Sequence, residues 1–247
     1  MMVEFIGSTG SGKTTVATAV QRRLSGLTGL HTAPDLVASL VGLPSPTKPV
    51  QRNLVCDLVG LPFFFGSLHR HGAFLRLALL ALARQRLTLQ SANRLRSTVR
   101  KIGVYEIVRR YGDGRIVLVD EGTVLHAHNL FVFTNRDCSS ADLDRFARVV
   151  PLPDLIVHVR APLAISIERS LERPDPPREL RSRDRTQVEL YVGRARAMFE
   201  ALVANPILGP RVLAFDNPGP QAGVGGLEVG GLVEGILERA GRARNTV

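Results

Sequence analysis

Tryptophan is absent from this 247-residue chain and tyrosine occurs only three times. A stacked aromatic platform for single-stranded nucleic acid is therefore not expected. Cysteine occurs twice, at Cys56 and Cys138, far apart and without metal-type spacing, so both read as ordinary reduced thiols. Lysine stands only at Lys13, Lys48 and Lys101, although Lys and Arg together number 32. The formal charge of +10 is thus carried by Arg, which suits bidentate recognition of phosphate and carboxylate; a GC-rich genome produces the same bias. No apolar run is long enough to span a bilayer: the longest, Phe74 to Ala83, is interrupted by Arg76. The chain enters an apolar run at once and shows no signal peptide, so a cytoplasmic protein is expected. Length and an apolar content of 45% fit one large domain, or one domain with a sizeable insertion.

What is present is concentrated near the start. Met2–Ile6 reads as a strand and leads into Gly7-Ser8-Thr9-Gly10-Ser11-Gly12-Lys13-Thr14-Thr15, which has the spacing of a phosphate-binding P-loop. The glycines let several backbone N–H groups point at one anion, and the helix opening near Gly12 adds the positive end of its dipole. Lys13 is expected to reach the β- and γ-phosphates of ATP, and the Thr14 hydroxyl to ligate Mg²⁺. Ile116-Val117-Leu118-Val119-Asp120-Glu121 is the second anchor: a buried parallel strand ending in a carboxylate that can hold Mg²⁺ opposite Thr14.

Around these anchors the chain alternates strands and helices. Helix one runs to about Leu24, and Leu30–Ala33 is a second strand. Asp35 follows at the ligand edge of that strand, or caps a helix at Leu36–Val41. From about residue 50 to Tyr111 the pattern is helical, and between Asp57 and Glu106 there is no acidic residue. Arg76, Arg84, Arg86 and Arg94 fall on roughly one half of a helix, with Leu75, Leu79, Leu82 and Leu89 mostly on the other. This basic face is either solvated or turned towards an anionic substrate, a membrane surface or nucleic acid. His126 and His128 are two apart, point in different directions on a helix, and read as surface or loop-packing residues rather than a metal pair.

A fourth strand, Asp154–Val159, is followed by a helix from Leu163 to about Arg173, on which Arg169 and Arg173 share a face. Residues 174–183 are rich in Pro and Arg and read as a mobile lid. A long helix from Asp184 to about Ala204 and a fifth strand, Arg211–Phe215, follow. Residues 217–247 read as a flexible linker and a last helix at Leu227–Ala240, apart from the main domain at 1–216.

This order of parts, with Gly7–Thr14, Asp120, Pro153 to Val159, Glu168-Arg169 with Arg173, and Arg183-Asp184-Arg185 before the long helix, resembles the P-loop nucleoside/nucleotide kinases, most closely the thymidylate kinase-like group, over roughly residues 2–216. The resemblance implies an α/β fold, a P-loop NTPase three-layer sandwich with a five-stranded parallel sheet and a helical insert between strands two and three. It implies an ATP site on Gly7–Thr15, a metal held by Thr14 and Asp120, and transfer of a phosphoryl group to a small acceptor. Asp35 or Glu121 would orient the acceptor hydroxyl or accept its proton, and Arg169 and Arg173 would stabilise charge on the moving phosphoryl. Two departures argue against carrying over thymidylate itself: Glu121 stands where that family generally has Arg, and Ala33-Pro34-Asp35 where it has an acidic-Pro-Gly motif. The rival readings are an ATPase that couples hydrolysis to a partner, for which Asp120-Glu121 is the support, and a P-loop protein bound to nucleic acid or peripherally to membrane. A homodimer is compatible with any of them.

Overall fold

The computed structural model describes residues 1–26, 29–84, 89–133, 137–174, 176, 180, 184–219 and 228–244. Five parallel strands, β1 (Met2–Ile6), β2 (Leu30–Thr32), β3 (Ile116–Val119), β4 (Leu155–Arg160) and β5 (Val212–Asp216), form one sheet in the order β2-β3-β1-β4-β5. β1 lies centrally, with Met2 opposite Val117 and Val3 opposite Leu155. All strands therefore release the chain at the same edge, and the order reverses beside β1, where an open α/β sheet forms its ligand crevice.

The sheet is apolar on both faces because helices cover both. Val3 and Phe5 of β1, with Leu155, Val157 and Val159 of β4, point to one side. They meet Val16, Val20 and Leu24 of α1 (Lys13–Leu24), together with Leu232, Val233 and Ile236 of the last helix, α10 (Gly230–Arg244). The boundary drawn at 216 from the Pro- and Gly-rich stretch is therefore not a boundary in the packing: α10 shares a core with the P-loop strand. Ile6 and Ile156, one residue out of step, face the other side. There they meet the helices of the insert and of the second half: α4 (Leu68–Ala83), α6 (His126–Phe131), α7 (Ser140–Val149), α8 (Leu163–Glu172) and α9 (Arg185–Ala204).

The insert comprises α3 (Pro49–Gly66), α4 and α5 (Leu89–Tyr111), after the short α2 (Ala33–Ser39). On α4 the buried stripe is Phe74, Ala78, Ala81 and Leu82, whereas Leu79 is exposed, as is Leu89 at the start of α5. The leucine face expected from the sequence is thus rotated, because α6 and α7 fix which residues face inward. Among the described residues no helix is long and apolar enough to cross a membrane.

α3 and α5 cross in backbone contact. The Cα of Gly103 abuts Gly60, so that a Cβ on Gly103 would overlap the Gly60 carbonyl oxygen. A Cβ on Gly60 would meet Gly103 no nearer than 3.6 Å, an ordinary contact. Gly103→Ala should therefore force the two helices apart at a cost of about 1–3 kcal/mol. Gly60→Ala should be neutral or slightly stabilising through helix propensity. Urea midpoints of the two variants check this, and equal midpoints would contradict the asymmetry.

Candidate active site

The P-loop conformation depends on glycine at three places. Gly7, Gly10 and Gly12 have φ of 150°, 78° and 86°. A Cβ on them would collide with the Val159 carbonyl, the Ser166 carbonyl and the Asn217 amide, respectively. Asn217, just past β5, donates its amide to Ser11 O at 2.8 Å, and Arg169 of α8 donates to Gly10 O at 3.4 Å. Ser8, Thr9 and Ser11 are buried, while Thr14 and Thr15 lie exposed on the first turn of α1. Lys13 folds back and donates to the carbonyls of Gly7 and Ser8, both at 2.9 Å. Burial, above all, lowers its pKa to about 8, against the attraction of Asp120 and Glu121. A cation poised across an anion-shaped backbone loop fits the phosphates of ATP.

Asp120 emerges from β3 beside this loop, and Thr14 Oγ1 donates to its Oδ2 at 3.2 Å. Burial, followed by the adjacent Glu121, raises the Asp120 pKa. One hydroxyl and one carboxylate form a small all-oxygen set. That suits Mg²⁺, which takes one or two protein ligands and completes its shell with water and phosphate. Thr14 and Asp120 would hold the ion, which would draw charge off the phosphates during transfer.

Beyond Asp120 a cavity of about 330 Å³ opens between the sheet edge and the insert. α3 contributes Arg52 and Asn53, α5 contributes Arg100 and Lys101, and Asp120 and Glu121 close the side towards the P-loop. Lys101 is buried and donates to Glu121 O at 3.0 Å. Its charge is the leading cause of a lowered Glu121 pKa, so Glu121 stays an open carboxylate. Asp57 of α3 is occupied by Arg96 and, at 3.7 Å, by Arg100.

The sequence reading gave Glu4, Arg52 and His128 no place at the site, and Lys101 stood only among the few lysines of the chain. Glu4 is fully buried in β1 and accepts from Leu125 N at 2.7 Å. Its carboxyl lies against Gly122, where any Cβ would collide with it. Glu4 and Lys101 thus grip the two ends of the turn that follows Asp120. The signal for Glu4 was in plain view, a lone acid inside the apolar run Met2–Ile6. His128 Nε2 lies 3.3 Å from Thr9 Oγ1 behind the P-loop, stacked on Phe199. Burial is the main cause that drops its pKa to about 3, so the ring is neutral. His126 points elsewhere, to Thr98 Oγ1 at 2.7 Å, and is fully buried. His126 is buried and His128 is half-buried.

The remaining expectations divide. Asp35 is the third residue of a capping box on α2: it accepts from the Thr32 hydroxyl at 2.6 Å, and its own N–H donates back at 3.4 Å. It faces a smaller neighbouring cavity of about 220 Å³, shared with Thr14 and Asp120. Of the two acids expected at the acceptor, Glu121 lines the 330 Å³ cavity and Asp35 the neighbouring one. Arg169 and Arg173 do not act as one face, because α8 ends at Glu172 and Arg173 has extended backbone. Arg169 braces the P-loop, whereas Arg173 lines the 330 Å³ cavity. Of the acid-free basic stretch between Asp57 and Glu106, Arg100 and Lys101 line the cavity, where Arg52 of α3 joins them. Arg84 pairs with Asp142 at 3.4 Å, and Arg94 lies over the Phe133 ring. Arg86 and most of the segment expected as a lid, including Arg178, Arg181 and Arg183, lie outside the described residues.

No family model and no curated relative matches the chain. Among solved structures, a thymidylate kinase from Candida albicans is similar over 99% of this chain and 92% of its own, with a TM-score of 0.51 and 14% identity. A thymidylate kinase from Ehrlichia chaffeensis matches at 17% identity and TM-score 0.44, covering 88% of this chain and 90% of its own. A deoxyadenosine kinase from M. mycoides matches at 14% identity and TM-score 0.44, covering 98% and 100%. The fold is that of the P-loop nucleoside/nucleotide kinases, with the five-stranded parallel sheet expected from the sequence.

Glu4 makes the site's pH response testable. Burial, the largest cause, raises its pKa from 4.5 to about 7, against lowering by the Leu125 N–H bond and Lys101. The unfolded chain releases this proton near the ordinary value, whereas the folded chain keeps it to about 7. The contribution of Glu4 to stability is therefore greatest below pH ~4.5, falls as pH rises through about 7, and changes in total by about 3 kcal/mol. Glu4→Gln keeps an acceptor for Leu125 N–H and removes the titration. The difference in unfolding free energy between wild type and variant should shift by about this amount between roughly pH 4.5 and 7.5. A difference that does not change with pH would show that Glu4 does not titrate there.

Proposed function

We propose that this chain, which has the fold of a P-loop kinase, is an ATP-dependent phosphotransferase that moves the γ-phosphoryl group to a small, anionic acceptor. The observation that carries the reading is the continuity of the site. Thr14 and Asp120, the metal-type pair of the phosphate loop, are also lining residues of the cavity that holds Glu121, Lys101 and Arg173. Donor and acceptor would meet across one carboxylate.

In this reading Lys13 and the backbone of Gly7 to Thr15 hold the triphosphate. An acceptor hydroxyl oxygen bonds to the γ-phosphorus, the bond to the bridging β–γ oxygen breaks, and ADP departs. The hydroxyl proton passes to the Glu121 carboxylate, which Lys101 keeps ionised. Arg173 faces the same space and offsets charge on the moving group, while Arg169 keeps the loop in shape. Glu121 could instead polarise a water, as in a partner-coupled ATPase; the cavity of about 330 Å³ beside it has room for an acceptor.

ATP consumption across acceptor classes, with mass detection of the phosphorylated product, tests this. Turnover should be slow without acceptor and rise with the right one. Glu121→Gln should lower kcat by about 10²-fold or more with little change in the KM for ATP. Arg173→Ala should lower kcat by about 10³-fold. Lys13→Ala should abolish turnover in a folded protein. Full-rate hydrolysis without any acceptor, stimulated by protein or nucleic acid, would overturn the kinase reading in favour of the ATPase.

A further inference from the structure

α3 has two faces of different character. Its inner face buries Cys56, Gly60 and Phe64 against α5, and Arg52 and Asn53 beside them line the cavity. Its outer face carries Val50, Leu54, Leu58, Leu61 and Phe65, each between 42% and 78% exposed. At ~100° per residue these five fall within roughly 80° of the helix circumference, opposite the buried residues. Single exposed leucines are ordinary, but five in line over roughly four turns form a stripe. The two charged residues of α3 are engaged elsewhere. Arg52 lies at the cavity, and Asp57 is paired with Arg96 and, at 3.7 Å, with Arg100.

Spacing, charge and area bear on what covers the stripe. Leu54, Leu58, Leu61 and Phe65 follow one another at steps of 4, 3 and 4, the alternation by which a helix packs lengthwise on another helix. These steps read the same from either end. A second α3 running antiparallel about a two-fold axis therefore meets the first in register, Leu58 against the partner's Leu61 and Leu54 against the partner's Phe65. A chain of formal charge +10 resists its own copy, but the stripe is uncharged and brings no like charges face to face. A helix that lies on a lipid surface borders its apolar face with several Lys or Arg, whereas Arg52 is the sole cation within α3. At these exposures the five side chains leave roughly 500 Å² open, a large patch for a lone chain. A stable interface covers about 800 Å² per partner, of which about 60% is apolar, or ~500 Å². The stripe matches the apolar part of one such interface.

We infer that the chain associates with a second copy of itself through an antiparallel pair of α3 helices related by a two-fold axis. The partner's α3 would then back the same helix whose inner side carries Arg52 and Asn53 at the cavity. The inference rests on α3 alone and stands apart from the kinase reading.

Sedimentation velocity on the full chain at ~10 μM should give a species of twice 26.9 kDa. Leu58→Asp and Leu61→Asp each place two carboxylates at the axis and should weaken association about 100-fold or more. Their far-UV spectra should be unchanged, because both positions are exposed in the single chain. Cross-linking reads the register, in a Cys138→Ser background with Cys56 buried. A short bismaleimide should join Leu54→Cys to Phe65→Cys when the two variants are mixed. Leu54→Cys alone should not be joined, since its two copies lie about 16 Å apart along an antiparallel pair. A wild-type chain that stays monomeric at ~100 μM overturns the inference. Cross-linking of Leu54→Cys to itself and not to Phe65→Cys overturns the antiparallel pair. A monomer that binds phosphatidylglycerol vesicles, with binding lost in Leu58→Asp, overturns it in favour of a membrane surface.

Discussion

The backbone of residues 7–12 is the constraint on which the rest of the molecule depends. A phosphate-binding loop needs its N–H groups turned inward, and that curvature exposes the outer side of the loop to whatever packs behind it. Here three separate parts of the chain press against that outer side at van der Waals distance. The end of β4 meets Gly7, the first turn of α8 meets Gly10, and the segment after β5 meets Gly12. Each approach needs the glycine hydrogen, since a methyl group would overlap a carbonyl or an amide. Asn217 and Arg169 then bond the loop carbonyls that face away from the ligand side. A loop held from three directions keeps its donors in place before any phosphate arrives, which lowers the ordering cost of binding.

Charge in the site follows from that rigidity. Lys13 and Lys101 are both drawn out of water, and burial lowers the pKa of each. Each is balanced by the acids around it, Asp120 and Glu121 for Lys13, and Glu121 and Glu4 for Lys101. Removing one partner from a buried set leaves the other uncompensated, which costs more than the pair contributes. The post-β3 turn is therefore fixed by electrostatics on both sides of Gly122, with Lys101 on the Glu121 carbonyl and Glu4 on the Leu125 N–H. Asp120 and Glu121 inherit their directions from that turn, with one at the metal-type pair and the other in the cavity.

The sequence was most legible where chemistry is local. The P-loop glycines, the apolar strands and the acid ending β3 are set by neighbours a few residues away, so their spacing was enough to find them. What it hid depends on contacts across a hundred residues or more. Asn217 meets Ser11 across the length of the chain, and nothing around Asn217 announces it. Lys101 looked like one more cation in an acid-free stretch, because its partners lie on β1 and after β3. Asp35 was open to two readings, the ligand edge of β2 or a cap on the helix that follows. It has a plausible position at a strand end, but Thr32 stands three residues before it and makes the capping box the stronger local claim. The linker before α10 likewise reads as a domain boundary by composition, yet Val233 and Ile236 are needed to cover the face of the sheet formed by Val3 and Phe5.

The two halves of the site differ in what builds them, and that difference has a consequence for specificity. The phosphate end is made largely of backbone, pinned to the central strand of the sheet, and it has little freedom to vary without loss of the loop. The cavity end is made of side chains on two helices of an insert that meet through a glycine contact, Gly60 against Gly103. Because that contact sets the helix spacing through backbone, Arg52 and Asn53 on the cavity side can change in size and charge without moving the helices, whereas Lys101 is tied to the turn after β3. One fold can therefore keep its phosphate-type loop while the cavity beside it changes, so what that cavity takes must be argued from those side chains and not from the architecture. In this chain those side chains are cationic and hydrogen-bonding, and the Tyr105 ring stands among them on the cavity lining.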